Sequence, residues 1–250
     1  MLGLGKGIPK RAQGRSAAAI GKSLGFTNSK SLELDGLNDY VNTNYTANAL
    51  FRGSFSFSYW IYLDTAYMVP LGLERGTHSA FMVQHFNGNV NVFHYSNSDV
   101  AIVTGAGLPV STNTWHHVVI TVTKNSGSNT TYAMYVDNSA VSQAFLGGFT
   151  VSEANHNAFD SDGKFLAIGA SNDDGTPDTF VDGYMDEVAI FDKALSSGEV
   201  SAIYNSGVPK DESSHDGLFM YYRFEDDVND TAGTSNGTNN GAKFNSAVPS

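Results

Sequence analysis

The stretch "SFSFSYWIYL", residues 54 to 63, indicates the class of fold. Its large apolar side chains fall on every second residue, which is the repeat of a β-strand with one face against a core. Serines, Trp60 and Tyr62 occupy the alternate positions. The pattern predicts a half-buried strand whose outer face ends in aromatic side chains.

The stretch "FMVQHFNGNVNVFHY", residues 81 to 95, predicts a β-hairpin. The Asn-Gly dipeptide at 87–88 separates two alternating runs, and Asn-Gly is a preferred sequence for a two-residue hairpin turn. Such a turn places His94 opposite Phe81 rather than opposite His85. We therefore expect no metal-binding histidine pair in this hairpin.

The rest of the chain continues this strand pattern. Further strands are predicted at "WHHVVITVTK" (115–124), "TYAMYVD" (131–137), "KFLAIGA" (164–170) and "YMDEVAIF" (184–191). The 26 glycines, 16 phenylalanines and 12 tyrosines suit short strands joined by tight turns. Since 250 residues with 41% hydrophobic content can bury one large core, we predict an all-β protein of two facing sheets.

One segment predicts a short helix instead. In "LSSGEVSAIYNSGVP", residues 195 to 209, Ser196 and Glu199 have the spacing of a capping box. Gly207 and Pro209 are typical of a helix end. We expect this helix to lie across the sandwich.

The N-terminal 30 residues differ in charge from the body. They contain six basic and no acidic side chains: Lys6, Lys10, Arg11, Arg15, Lys22 and Lys30. The remaining eight basic and all 25 acidic residues leave residues 31–250 with a net charge of −17. The segment lacks the apolar core of a secretory signal. Two interpretations stay open, a disordered terminus or an arm that orders on a partner. An anionic partner surface, protein or nucleic acid, suits either one.

Composition excludes several classes of site and gives no signal for an enzyme. Without cysteine the chain has no disulfide, thiolate zinc site or cysteine nucleophile. Its apolar runs are far shorter than the roughly 20 residues of a membrane helix, so no membrane insertion is expected. No phosphate-binding loop, G-x-S-x-G or H-E-x-x-H occurs. We predict no catalytic residue and no direct readout of nucleic-acid sequence.

The closest carboxylate pair is Asp186-Glu187. Adjacent residues of a strand point to opposite faces, so these two are not expected to act together. The same argument separates His116 from His117. Neither pair predicts a catalytic or metal site.

Calcium is the metal that the acidic loops favour, because it binds carboxylate, amide and backbone oxygens. In "SLELDGLNDYVNT", residues 31 to 43, Asp35 and Asp39 flank Gly36. We interpret Asp35-Gly36 first as a turn and second as part of a calcium site. The run "ASNDDGTPDTFVDG" supplies further acids at 173, 174, 178 and 182. Neither segment matches a calcium loop of fixed spacing.

The motifs in order resemble the laminin-G-like, concanavalin A-like jelly roll. The resemblance covers about residues 31 to 207, through "SLELDGLNDYVNT", "FSFSYWIYLD", "WHHVVITVT", "YAMYVDNSAV", "FLAIGA" and "VDGYMDEVAIFDKALSSGEVSAIYNSG". It implies a two-sheet antiparallel jelly-roll sandwich with one short helix. It also implies framework roles for Trp60, Trp115 and His117.

Glycan-binding members of this family use loops at one rim, often with calcium. The resemblance therefore adds Asp186 to Asp35 and Asp39 as candidate calcium ligands. Hydrolases of the superfold carry spaced acids such as E-x-D-x-x-E, which "DGYMDEVAI" does not supply. This difference favours a non-enzymatic member.

The C-terminal tail, residues 217 to 250, looks like a strand and loop that usually come first in such a module. It either completes this sandwich or covers a neighbouring copy. We therefore divide the chain into a basic anchoring arm, residues 1–30, and a jelly-roll domain, residues 31–250. The anchoring residues are Lys6, Lys10, Arg11, Arg15 and Lys22.

The whole arrangement is similar to jelly-roll structural proteins of tailed bacteriophages. That similarity implies a virion structural protein on the particle surface, a capsid decoration or tail-associated module. Its partners would be other virion proteins and a host-surface glycan, and it would form a homo-oligomer. The alternative is a secreted or cell-surface carbohydrate-binding lectin, which exposed aromatic side chains in the 62–67 and 171–182 loops would favour.

Overall fold

The computed structural model describes residues 26–75, 79–96, 99–106, 109–145 and 150–250. These residues form two β-sheets packed face to face, joined by short loops. The strands are β1 (Ser31–Asp35), β2 (Tyr40–Asn42), β3 (Phe55–Leu63), β4 (Tyr67–Arg75), β5 (Ser79–Phe86), β6 (Asn89–Ser96), β7 (Asp99–Ala106), β8 (Trp115–Thr123), β9 (Thr131–Val136), β10 (Ser139–Ala140), β11 (Ser142–Phe145), β12 (Ala167–Ile168), β13 (Ser171–Asp173), β14 (Thr176–Asp178), β15 (Asp182–Phe191), β16 (Leu218–Tyr222), β17 (Thr238–Asn240) and β18 (Lys243–Asn245).

The two sheets have different strand orders. The first sheet runs β10-β9-β8-β3-β15-β1-β18, and β16 also pairs with β15. The second runs β11-β7-β6-β5-β4-β12-β2-β17, with the β13–β14 hairpin attached to β4. All strand pairs are antiparallel except the short contact of β13 with β4. The predicted two-sheet jelly-roll sandwich is confirmed.

Aromatic rings fill the core between the sheets. Phe51, Phe55, Phe57, Phe81 and Phe159 are fully buried, and their rings are packed with centroids about 5 to 6.5 Å apart. The apolar face of β3 points into this core, as its period-2 pattern predicts. Burial of this face orients every outward side chain of the strand.

β3 is buried on both faces along most of its length, and not half-buried as predicted. Ser56 and Ser58 are fully buried, and Trp60 is nearly so. The segment after β15 folds back over this face, where Leu195, Val200 and others form a second apolar cluster. Ser56 Oγ accepts a hydrogen bond from the backbone N–H of Leu195 and so joins this covering segment to β3.

The Asn-Gly hairpin is confirmed in its predicted register. β5 and β6 pair with His94 opposite Phe81 and His85 opposite Val90. The predicted strand at 164–170 forms as the two-residue β12 only. The chain there bends at Gly169, whose φ is +88°.

The predicted helix is α2 (Ser197–Tyr204), followed by a 3-10 turn at Asn205–Gly207. Both hydrogen bonds of its Ser196–Glu199 capping box are present. A second helix, α1 (Glu153–Asn157), was not predicted, and Ser152 caps it. Neither helix is long and apolar enough to span a membrane, and no other helix in the described ranges is.

The C-terminal tail completes the sandwich of its own chain. β16 pairs with β15, β17 with β2, and β18 with β1. β1 and β16 therefore share one edge of β15, β1 along its first half and β16 along its second half. The acidic residues Asp186 and Glu187 lie where one partner strand gives way to the other.

Candidate functional site

Asp35 forms the turn predicted for it. Its Oδ1 accepts hydrogen bonds from the backbone N–H groups of Leu37, at 2.9 Å, and Asn38, at 3.2 Å. These bonds hold the pKa of the Asp35 carboxyl below its usual value. Gly36 has φ +73°, in the left-handed region that favours glycine.

The structure does not bring Asp35, Asp39 and Asp186 together. Asp35 pairs with Asp182, four residues before Asp186 on β15, so the backbone positions of Asp35 and Asp186 are separated by about 13 Å along the strand. Asp39 is buried beside the turn at Gly241, and burial together with Asp35 raises its pKa. Among the residues that the structure describes, no three His, Asp or Glu side chains are grouped to hold a metal. The grouping implied by the family resemblance is therefore not formed.

The acidic run at 173–182 forms the β13–β14 hairpin and the strand that follows. Asp174 lies at its turn and pairs with Lys164 at 3.3 Å. Asp182 opens β15, where burial, with nearby Asp64 and Asp35, raises its pKa. Of this run, Asp182 therefore lies beside Asp35, at the end of β1 and the start of β15.

Asp186 and Glu187 do not point to opposite faces as the strand alternation predicts. β15 contains an extra residue relative to β3 between Asp186 and Ala189, and Glu187 has φ +47°. Both carboxyls are buried. Burial and the neighbouring Glu187 raise the pKa of Asp186 well above its usual value, and burial raises the pKa of Glu187 to about 8.

Residues 26–30 cover this acid pair. Asn28 Nδ2 donates to Asp186 Oδ2 at 2.9 Å, while the Tyr221 hydroxyl donates to Glu187. The Arg223 side chain lies 3.5 Å from the Glu187 carboxylate, and its guanidinium stacks 4.5 Å over the Phe26 ring. The pair is enclosed by protein groups and is not open to a substrate.

The two neighbouring histidines have structural partners. His116 contacts Ser111 at 2.9 Å and Asp137 at 2.7 Å. On the opposite face, His117 bonds to Ser58 at 2.8 Å, and burial lowers its pKa to about 3. His117 is thus a neutral, hydrogen-bonded strand residue.

The two tryptophans lie in the first sheet. Trp60 is packed against His117, with ring centroids 4.9 Å apart. Trp115 is half-buried and contacts Tyr62 and Tyr184. Both tryptophans therefore contribute to the aromatic packing on the outer side of this sheet.

An exposed aromatic pair lies in the second sheet, where β4 begins and β5 ends. Tyr67 is 53% exposed and Phe86 is 45% exposed. They are directly opposite each other on β4 and β5, with ring centroids 5.6 Å apart in an edge-to-face arrangement. The backbone N–H of Asn87 donates to Ala66 and joins the two turns beside them.

Amide side chains continue the outward face of the second sheet from this pair. Gln84 lies two residues before Phe86 on β5, directly opposite Asn91 on β6. The β13–β14 hairpin stands at the β4 edge of this face, so close that a side chain at Gly72 would overlap the backbone of Ser171. Exposed rings beside amides can bind the apolar faces and hydroxyls of a sugar.

Sequence reasoning predicted part of this pair and missed the rest. It singled out the 62–67 loop, where Tyr67 lies, but not Phe86. Phe86 precedes the Asn-Gly turn and has the opposite strand phase to the core residues Phe81 and Val83. That phase is the signal that could have found it. The five basic residues of the predicted anchor lie outside the described residues.

The two facing antiparallel sheets define the class of jelly-roll sandwiches. The chain belongs to the concanavalin A-like lectin/glucanases superfamily, whose sequence profile matches residues 35–201. The match spans the chain from the Asp35 turn to the middle of α2. No curated protein sequence matches the chain.

Solved structures with the same fold are distant in sequence. A Bacteroides ovatus ATCC 8483 protein, described only provisionally as carbohydrate-binding, is 18% identical with a TM-score of 0.60. The alignment covers 90% of this chain and 62% of that protein, so the chain spans about three fifths of its length. The CBM40 domain of the Ruminococcus gnavus IT-sialidase, bound to α2,3-sialyllactose, is 12% identical with a TM-score of 0.51. That alignment covers 68% of this chain and 96% of the CBM40 domain.

Proposed function

We propose that this protein is a non-enzymatic glycan-binding module. The observation that carries the proposal is the exposed Tyr67–Phe86 pair, because two contacting, half-exposed rings form an apolar patch of the kind that marks a ligand or partner site. Their faces would pack against the C–H groups of a pyranose ring, and Gln84 would lie within the same outward column to bind hydroxyls. The carbohydrate-binding structures of the same fold support this class of ligand.

The enclosed acid pair supports a binding role rather than catalysis. A glycosidase needs two carboxyl groups that face one substrate. Asp186 and Glu187 instead face Asn28, Tyr221 and Arg223 beneath residues 26–30. The two buried acids thus serve the protein interior.

The setting we propose is the surface of a virion, with residues 1–30 as the anchor on other virion proteins and the sandwich facing outward. The charge contrast between the arm and the body supports it, since a basic segment suits an anionic neighbour. Bound calcium with Asp35 and Asp39 as ligands is a further part of the proposal. A secreted or cell-surface lectin is the alternative, favoured by the same aromatic pair.

Binding to a glycan array tests the proposed site. We expect the protein to bind at least one glycan class, and Tyr67→Ala or Phe86→Ala to weaken that binding about tenfold or more, roughly 1.4 kcal/mol. Leu37→Ala is the matched control, since Leu37 is 75% exposed but lies on the Asp35 turn. An array without binding, or equal binding by all variants, would contradict the proposed function.

The mass of the full chain in solution tests the virion setting. We expect an oligomer that dissociates when Lys6, Lys10, Arg11, Arg15 and Lys22 are all replaced by serine. The melting temperature with and without a chelator, measured on the same samples, tests calcium, which should raise it. A monomeric wild-type chain that binds glycans would favour the lectin alternative.

A further inference from the structure

Three aromatic side chains form a cluster on the outer face of the first sheet, whereas the Tyr67–Phe86 pair belongs to the second sheet. Trp115, Tyr62 and Tyr184 lie side by side on β8, β3 and β15. Their ring centroids form a triangle with sides of 5.9, 5.6 and 6.3 Å. We call these three residues the aromatic triad.

The triad lies at the end of the outer face that α2 does not cover. Further along the same strands, Trp60 and His117 lie beneath Tyr204 of α2, with Trp60 and Tyr204 stacked at 6.1 Å. The apolar cluster under α2 extends away from the triad and does not include it. All three rings stay half-buried, so part of each remains accessible to solvent.

Carboxylates border the triad on two sides. Glu33 is directly opposite Tyr184 in the pairing of β1 with β15. Two residues before Tyr184 on β15, Asp182 is opposite Asp35. The backbone N–H of Asp64 donates a hydrogen bond to the Asp182 carbonyl. These charges are close enough that Glu33 and Asp64, after burial, raise the pKa of Tyr184. We call Glu33, Asp35, Asp64 and Asp182 the acidic border.

Aromatic faces beside carboxylates are complementary to organic cations. A guanidinium or ammonium group is attracted by the ring faces and by the negative charges, and guanidinium also stacks on them. The chain uses this chemistry once already, where the Arg223 guanidinium lies over Phe26 and beside Glu187. The triad and its acidic border have the same kinds of group, rings and carboxylates. The exposed Lys243 on β18 is opposite Glu33, on the side of Glu33 away from Tyr184.

We propose that the triad and its acidic border bind a basic, arginine-bearing peptide segment of a partner protein. The charge complementarity carries the choice of occupant, because four carboxylates border the rings on two sides, on a body of net charge −17. Arginine is preferred to lysine, since only its planar group both stacks on rings and pairs with carboxylates in bidentate geometry. The surface is distinct from the proposed glycan site and does not depend on it.

Titration of the full-length protein with nona-arginine tests the proposal. We expect saturable binding by calorimetry and a change in tryptophan fluorescence, with nona-lysine binding several-fold more weakly. Tyr184→Ala and the double change Asp64→Asn with Asp182→Asn should each weaken nona-arginine binding about tenfold. Tyr184→Phe keeps the ring and should bind as the wild type does.

Three controls separate a specific site from general attraction to an acidic protein. Asp162→Asn removes one exposed charge outside the acidic border and should leave the affinity within about twofold. Tyr67→Ala should weaken glycan binding about tenfold or more and leave nona-arginine binding unchanged, so loss of one function is distinguishable from loss of the other. Circular dichroism of each variant verifies that it is folded.

Two outcomes would overturn the proposal. In the first, Tyr184→Ala and the double aspartate variant bind nona-arginine as tightly as the wild type, which would mean that attraction is spread over the whole surface. In the second, a cationic amino-sugar oligomer binds through the triad while nona-arginine does not. That result would identify the surface as a second glycan site.

Discussion

Gly183→Ala is expected to abolish stable folding. Gly183 has φ +140°, a conformation that only glycine adopts readily, and a Cβ there would overlap the carbonyl oxygen of Tyr62 on the neighbouring strand. Because the obstacle is backbone, no side-chain rotation can relieve it. β3 and β15, two interior strands of the first sheet, would have to separate where Gly183 is opposite Leu63.

The expected loss exceeds about 4 kcal/mol of unfolding free energy, in the range that marks a disrupted backbone. Urea unfolding of the purified variant, or its failure to accumulate as folded protein, is the measurement. Gly163→Ala is the control, since Gly163 has φ +74° but open space around its Cα. It should cost only about 1 to 2 kcal/mol, the penalty of the left-handed conformation. Equal stability of the two variants would contradict the close approach of β3 and β15.

The same glycine positions the functional surface. Gly183 lies between Asp182 and Tyr184, and the close approach that it permits brings Tyr184 against Tyr62. A partly folded Gly183→Ala protein should therefore lose nona-arginine binding. Its glycan binding at Tyr67 and Phe86, on the other sheet, should be less affected.

The second large effect concerns pH and the buried acid pair. The folded-state pKa values of Asp186 and Glu187 are raised, that of Glu187 to about 8. The folded protein therefore holds protons that the unfolded chain releases above about pH 4 to 5. The contribution of this acid pair to stability is complete below those unfolded values and falls as the pH rises towards 8. Buried His85, His94 and His117, whose pKa values burial lowers to about 3, act in the opposite direction below about pH 6.5. A tenfold change in proton affinity between the folded and unfolded states corresponds to about 1.4 kcal/mol, so the effect is large.

Asp186→Asn tests the origin of this pH dependence. The new amide would be isosteric and could donate to Asn28 Oδ1, a buried oxygen with no hydrogen-bond partner. We expect the variant to match the wild type near pH 4 and to be more stable than it at pH 8. Glu187→Gln should have the same direction of effect, because its carbonyl oxygen can still accept from Tyr221.

Urea midpoints between pH 4 and 9 provide the comparison. Asp64→Asn, which removes an exposed carboxylate, should leave the slope of stability with pH nearly unchanged. A wild-type protein that becomes more stable from pH 7 to pH 8, where the buried histidines are neutral in both the folded and the unfolded state, would contradict the raised pKa values. So would an Asp186→Asn variant with the wild-type slope.

The strands, the hairpin and the helix were predictable from the sequence, because each depends on neighbours within a few residues. The alternation in β3, the Asn-Gly turn at 87–88 and the Ser196–Glu199 capping box are all local patterns. Their order along the chain also indicated the superfamily. The Asp35-Gly36 turn was predicted for the same reason, since Asp35 bonds to residues two and three positions ahead.

Which side chains meet, and which faces are covered, depends on the tertiary structure. Trp115, Tyr62 and Tyr184 come from three distant strands, and the register between those strands brings them into one triad. The extra residue in β15 turned Glu187 beside Asp186, against the simple alternation, and the register placed Asp186 away from Asp35. The outer face of β3 is buried because α2 folds over it. Strand register, bulges and covering segments arise from contacts between residues far apart in the chain, which local periodicity does not encode.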